Sequence, residues 1–195
     1  MAAGKIITGF SKPYVAVLTE GGAPYYLSTY NYGQKLARGV SVSIDPETSD
    51  DNGFYADNGR GESEPVRFTS GTLNLTVDGL LDEAEALIMG VTKENGWLTY
   101  GDSQKAPYVG VAFIIRYQSA GAVTFVPVLL RKCQFSQIST AAATQEENVD
   151  YQTQELSAKI MKMHSGEWKR VGPDFETEAL AESAIRTWFS ILEDD

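Results

Sequence analysis

At 195 residues and a formal net charge of −10, the chain is long enough for one good core and too acidic to offer a basic nucleic-acid-binding surface. A single cysteine, Cys133, excludes an intrachain disulfide, and no stretch nears the ~20 apolar residues of a spanning helix. The hydrophobic share of 43% is that of a globular protein rather than a disordered one.

Taken from the N-terminus, MAAGKIITGFSKPYVAVL has its apolar run broken by Thr8, Gly9, Lys12 and Pro13. No signal peptide is expected, and the chain is expected to be soluble and unprocessed. Next, YYLSTYNY gathers Tyr25, Tyr26, Tyr30 and Tyr32. Such a cluster could stack on sugars in a binding module, or lie at a subunit contact, where tyrosine is enriched; composition favours the contact.

From residue 40 onward, most of the chain has the pattern of strands. Val40, Val42 and Ile44 alternate with Ser41, Ser43 and Asp45, and Leu73, Leu75 and Val77 alternate with Thr72, Asn74, Thr76 and Asp78. Each is expected to bury one face and wet the other. Between them, residues 45–66 are expected as a long mobile loop. LLDEAEALIMG (80–90) has helical spacing and ends at a glycine. Residues 108–118 and 122–135 flank SAGA and predict a long antiparallel hairpin. Its middle is apolar on both parities, so both faces should be covered, with Pro127 at an edge or bulge. Residues 136–148 are small and polar and are expected as a second flexible loop. In 149–162, VDYQTQELSAKIMK, neither face is very apolar, which suits a surface edge or the wall of a water-filled channel. Finally, 176–194 predicts a helix whose stripe is Leu180, Ala181, Ala184, Ile185, Trp188, Ile191 and Leu192. It falls within an acidic extension, 172–195.

The charge is unevenly spread. Residues 45–64 carry −6, 145–156 carry −4 and 174–195 carry −6, leaving +6 for the remainder. Acidic loops on a mildly basic body fit docking of one copy on another, although acidic runs are most often solvated loops.

The motifs that would carry chemistry fail on spacing. TSDDNGFYADNG (48–59) has Asp50, Asn52 and Gly53 placed as in a calcium loop, but Thr48 and Gly59 occupy the first and last positions, so the closing bidentate carboxylate is missing. Gly59-Arg60-Gly61 is followed by Glu62, where a phosphate-binding helix start should accept an anion. Asp57 and Glu62 lack apolar neighbours to desolvate an acid/base pair. His164 and Cys133 are expected to be a surface histidine and a packed thiol. Asn74-Leu75-Thr76 matches a glycosylation acceptor but falls within a strand. No catalytic residue, cofactor or metal is expected, and the chain is not expected to be an enzyme.

The order of segments carries more. GFYADNGRGESE (53–64), FTSGTLNLTVDGL (68–80), a short helix ending LIMG, ENGWLTYGDSQKAPYVGVAFIIR (94–116), VLLRKCQFS (128–136), NVDYQTQELSAKI (148–160) and GEWKRV (166–171) together resemble the major tail tube protein of long-tailed, non-contractile bacteriophages over about residues 34–171. The resemblance implies one mainly β domain with one or two helices, an antiparallel sandwich or partly closed barrel. It implies rings, hexameric in that family, that stack into a tube around a tape-measure protein and later conduct double-stranded DNA without specific binding. Tail-terminator and distal tail proteins would be further partners, with no membrane binding. The chain would be assembled in the host bacterial cytoplasm and reside in the virion tail. In that setting 45–66 resembles the loop by which rings engage, through Asp50, Asp51, Tyr55, Asp57, Arg60, Glu62, Glu64 and Arg67. Lumen candidates are Ser41, Ser43, Asp45, Asn74, Thr76 and Asp78, with Gln152, Gln154 and Glu155 on a strand that could also face outward. The alternative is a carbohydrate-binding β-sandwich for host adhesion.

Overall fold

The computed structural model describes residues 4–22, 27–49, 66–140 and 152–191, together with the backbone of 53–56 and 59–63. It is mainly β, with one eight-stranded antiparallel sheet that is sandwich-like and does not close into a barrel. In chain order the principal strands are β1 (Ile6–Glu20), β2 (Ser28–Lys35) and β3 (Gly39–Thr48). A separate two-stranded hairpin follows, β4 (Gly53–Ala56) and β5 (Gly59–Ser63), and then β6 (Phe68–Val77). After helix α1 (Asp82–Met89) comes a second small hairpin, β7 (Thr92–Glu94) and β8 (Trp97–Thr99). The chain continues with β9 (Val109–Ser119), β10 (Ala122–Phe135), β11 (Gln154–Met161), β12 (Lys169–Val171) and helix α2 (Glu178–Trp188).

The strand order is β2-β1-β9-β10-β11-β6-β3, with β12 pairing β10. β10 joins the two parts of the sandwich. Its residues Val128 to Leu130 pair with β12, and Lys132 to Phe135 pair with β11. The change of partner coincides with a register shift against β9 between Leu130 and Cys133, as at bulges that turn a strand from one sheet direction to another. Val15, Val111 and Phe113 from one part and Leu73, Leu75, Leu156 and Ile160 from the other form a single buried cluster, which Ala84, Ile88 and Met89 of α1 complete. Cys133 is wholly buried among them.

The predicted hairpin is β9–β10. Ala120 and Gly121, at φ 49° and 86°, make the two-residue turn that matches strand twist, and left-handed backbone at the second position suits glycine. Both faces of its middle are covered, as the two-parity apolar pattern requires. Val111 and Phe113 face the first core, while Ala112 and Ile114 face a second one. Pro127 lies opposite Ile114. On its other side the β12 ladder has ended at Val171, and Gly172 N–H donates to the Pro127 carbonyl at 2.8 Å. The proline thus occupies a place where a strand N–H is dispensable.

The second core explains α2. Ala181, Ile185 and Phe189 are buried against Tyr14, Ala16, Ala112, Ile114 and Leu129. Thr177 caps the helix, its hydroxyl accepting from Leu180 N–H at 3.4 Å. Polar links pin it to β1: Tyr14 Oη donates to Glu182 at 2.6 Å, Lys12 Nζ pairs with Glu182 at 3.0 Å, and Ser11 donates to Glu178. What the sequence marks as an extension from 172 therefore covers the outer face of β1, β9 and β10. The apolar stripe is narrower than predicted, since Leu180 is exposed.

Three expectations are corrected by pairing. Residues 45–48 are strand, not loop: Asp45, Pro46, Glu47 and Thr48 continue the ladder with Thr72, Gly71, Ser70 and Phe68, and Pro46 is tolerated because β3 is an edge strand. Val40 is exposed at a register shift instead of inward, because the bulge between Gly39 and Ser41 turns it out of the alternation. β11 is an interior strand between β10 and β6, and it buries Leu156, Ala158 and Ile160.

Candidate functional site

The outer face of β3, β6 and β11 is an arrangement of exposed and half-exposed polar side chains that the strand register fixes. Antiparallel pairing puts Ser41, Thr76 and Glu155 in one row, Ser43, Asn74 and Ser157 in the next, and Asp45, Thr72 and Lys159 in the third. Alternation makes this obligatory: once Leu73, Leu75 and Val77 enter the core with Leu156 and Ile160, the other parity must face out. Side chains bond within the face. Ser41 Oγ donates to Thr76 Oγ1 at 3.0 Å, Ser43 Oγ donates to Asp45 at 2.8 Å, and Asn74 Nδ2 donates to the same Asp45 oxygen at 3.3 Å. With Asp45 and Glu155 against Lys159, the face carries a formal −1.

Five of the predicted lumen residues, Ser41, Ser43, Asp45, Asn74 and Thr76, share this face, and Glu155 joins them. Asp78, Gln154 and Gln152 do not. Asp78 lies past the end of β6, where its carboxylate accepts from Arg38 N–H at 3.0 Å and pairs with the Arg38 guanidinium. What burial it has raises its pKa, and those hydrogen bonds and the Arg38 charge outweigh this, holding it below the usual carboxylate range. Gln154 has the parity of Leu156. It stands opposite Val77, and its side-chain oxygen accepts from Leu80 N–H at 3.2 Å. Gln152 precedes the strand. Thr72, Ser157 and Lys159 were missed, although the alternation Leu156, Ala158, Ile160 within QELSAKIM carries the signal for the last two.

The 49–67 segment leaves one end of the β3–β6 pair, and α1 follows from the other end. Its base is pinched: Ser49 N–H donates to the Arg67 carbonyl at 2.8 Å, and Arg67 N–H donates to Ser49 Oγ at 3.0 Å. Beyond the base, β4 and β5 pair as their own hairpin, with Tyr55 opposite Arg60 and Ala56 opposite Gly59. Glu62 is in β5, and Arg67 is exposed. Asp50, Asp51, Asp57 and Glu64 lie outside the described residues, as do 141–148 of the second predicted loop.

Of the tyrosine cluster, Tyr30 and Tyr32 are among the described residues. Tyr30 is packed edge-on against Phe189, with centroids 5.2 Å apart, and its hydroxyl donates to the Arg131 carbonyl at 2.9 Å. Burial raises its pKa. Tyr32 is exposed, and Tyr25 and Tyr26 lie outside the described residues. Among the described residues no cluster of three metal-ligating side chains occurs, and no helix is long and apolar enough to cross a membrane. The chain matches no protein-family model and no curated protein.

Proposed function

We propose that the chain is a self-assembling structural subunit of a phage tail tube, whose copies close into rings, stack, and conduct double-stranded DNA. The observation that carries this is the polar face of β3, β6 and β11. It is a broad, ordered wall of hydroxyls, amides and few charges, on strands whose opposite face is committed to the core. Phosphate adheres where lysine and arginine displace its counterions. A wall with a formal −1 across nine residues gives a passing duplex little to hold. The order of segments along the chain, which resembles that family, supports the reading, and the β4–β5 hairpin, carried on the segment rooted at one end of the sheet, would serve as an arm for an adjoining ring. Its acids complement the basic remainder of the chain. Tape-measure, terminator and distal tail proteins are the partners such a tube implies.

Negative-stain microscopy of the purified protein at high concentration tests the proposal. Stacked rings or tubes are expected; a monomer that persists at every concentration and ionic strength overturns it. Particles assembled with Asn74→Lys test the wall. DNA delivery should fall while tube assembly persists. Asn74 is the better position than Asp78, because replacing Asp78 also breaks its contact with Arg38.

A further inference from the structure

A cavity of about 530 Å³ opens where β1 ends. Glu20 and Gly21, at the end of that strand, line it with Lys132 of β10 and with Lys162, Met163 and His164, which follow β11. None of these residues belongs to the polar face of β3, β6 and β11.

Local sequence builds the place. Met163 is buried, and its neighbours Lys162 and His164 are exposed. The apolar side chain thus anchors the turn and leaves the two basic ones outside it. Two backbone bonds hold the turn: Met163 N–H donates to the Glu167 carbonyl at 2.8 Å, and Gly166 N–H donates to the Met163 carbonyl at 2.9 Å. Gly166 stands at φ 85°, left-handed backbone that suits glycine.

Lys132 brings a charge that is mostly covered. Its side chain is 16% exposed, and its ammonium pairs with Glu20 and lies 4.4 Å from the centre of the Tyr108 ring. An ammonium carries three donors. Glu20 is the one hydrogen-bond partner of this ammonium among the described residues, and the ring face attracts the charge without supplying an oxygen. Lys162 has no hydrogen-bond or ion-pair partner among the described residues. Two lysines therefore meet one carboxylate, a formal +1 with His164 neutral, on a chain of −10. Donors are in surplus, and the carboxylate that lines the cavity is already engaged.

A ligand rich in negative oxygens satisfies such a surplus. Lysine binds phosphate as a point charge. Nitrogen-bearing side chains that come from two separate segments, β10 and the turn after β11, suit a tetrahedral ion better than a flat carboxylate. We propose that Lys132, Lys162 and His164 bind a phosphate group in this cavity, and that Glu20 competes with it for Lys132. The site is separate from the polar face, so its test leaves the tube proposal untouched.

His164 is the only histidine in the chain, so its imidazole NMR signals report on the cavity without ambiguity. Inorganic phosphate, added at fixed pH against sodium chloride of equal ionic strength, should shift them saturably and raise Tm in step. Lys162→Gln alters an exposed side chain; it should stay folded and weaken phosphate binding about tenfold. Glu20→Gln should tighten binding, because the competing carboxylate is gone. A pair that merely braces the fold would lose Tm in that variant without gaining affinity, and this result would count against the proposal. Glycerol phosphate, titrated in parallel, tells a phosphate ester from the free ion, and saturation by either supports the site. A response that follows ionic strength alone, that acetate matches, or that neither substitution alters overturns it.

Discussion

Replacing Ile185 with alanine tests whether α2 is part of the fold or an accessory to it. The side chain is fully buried between α2 and the outer face of β1 and β9, among Tyr14, Ala112, Ile114 and Phe189. Three carbons are lost, at about 0.8 kcal/mol each for transfer. A rigid sheet face below cannot collapse to fill the gap, so a cavity term adds to this and brings the cost to about 3–4 kcal/mol. For a chain of this size that is a fall in Tm on the order of 10 °C. Leu180→Ala is the control. It removes the same kind of side chain from the same helix, but Leu180 is 53% exposed, and its change should stay within about 0.5 kcal/mol. Urea unfolding with matched m-values reads both. Equal destabilisation by the two variants, or an Ile185→Ala protein as stable as the parent, would refute the placement of α2 over the second core.

Gly110→Ala should destabilise by roughly 1–3 kcal/mol, because a Cβ there would stand 2.5 Å from Tyr30 Cε1 and 2.9 Å from Phe189 Cε1, two rings already locked edge to face; thermal unfolding checks it. Burial raises the Glu182 carboxyl, but the Tyr14 hydrogen bond, then Lys12 and Lys35, outweigh this and hold it below its ordinary 4.5. Its contribution is therefore complete above that value and is lost as the pH falls through the lower folded-state pKa. Glu182→Gln should flatten the acid limb of a Tm-against-pH curve, and an unchanged limb would count against the link. Deleting residues 50–62 should leave the circular dichroism spectrum of a folded β protein while abolishing polymerisation; loss of the spectrum would contradict the separation of the hairpin from the main sheet.

Alternation was the legible part of the sequence. Leu73, Leu75 and Val77 specify β6 unaided, and the two-parity apolar run of 108–118 with 122–135 specifies a hairpin buried on both faces. Gly90 and the acidic first turn mark α1. What local pattern could not convey was the partner each face would find. Leu180 has helical spacing with Ala184 and Trp188, yet it is left exposed, while Ala181, Ile185 and Phe189 are buried on the sheet and Trp188 and Ile191 pack against the same core. Val40 has strand parity with Val42, but a bulge set by pairing with β6 turns it outward. Asp78 has the parity of Thr76, and its fate was decided by Arg38, forty residues away in the chain. β11 was harder to read for a plainer reason: Gln152 to Glu155 are polar, and the sustained apolar alternation begins only at Leu156. Of the candidate face, β3 and β6 could be read before folding. Its third strand depended on the turn of β10 that brings β11 alongside.

That turn has a use at the bench. Cys133 is the only thiol in the chain, and it lies where β10 exchanges one neighbour for the other, with burial pushing its pKa far above the ordinary value. An alkylating reagent can reach it only when both halves of the molecule part, so the labelling rate is a clock for whole-chain opening. Read before and after the assembly proposed above, that clock would test whether neighbouring copies prolong the fold.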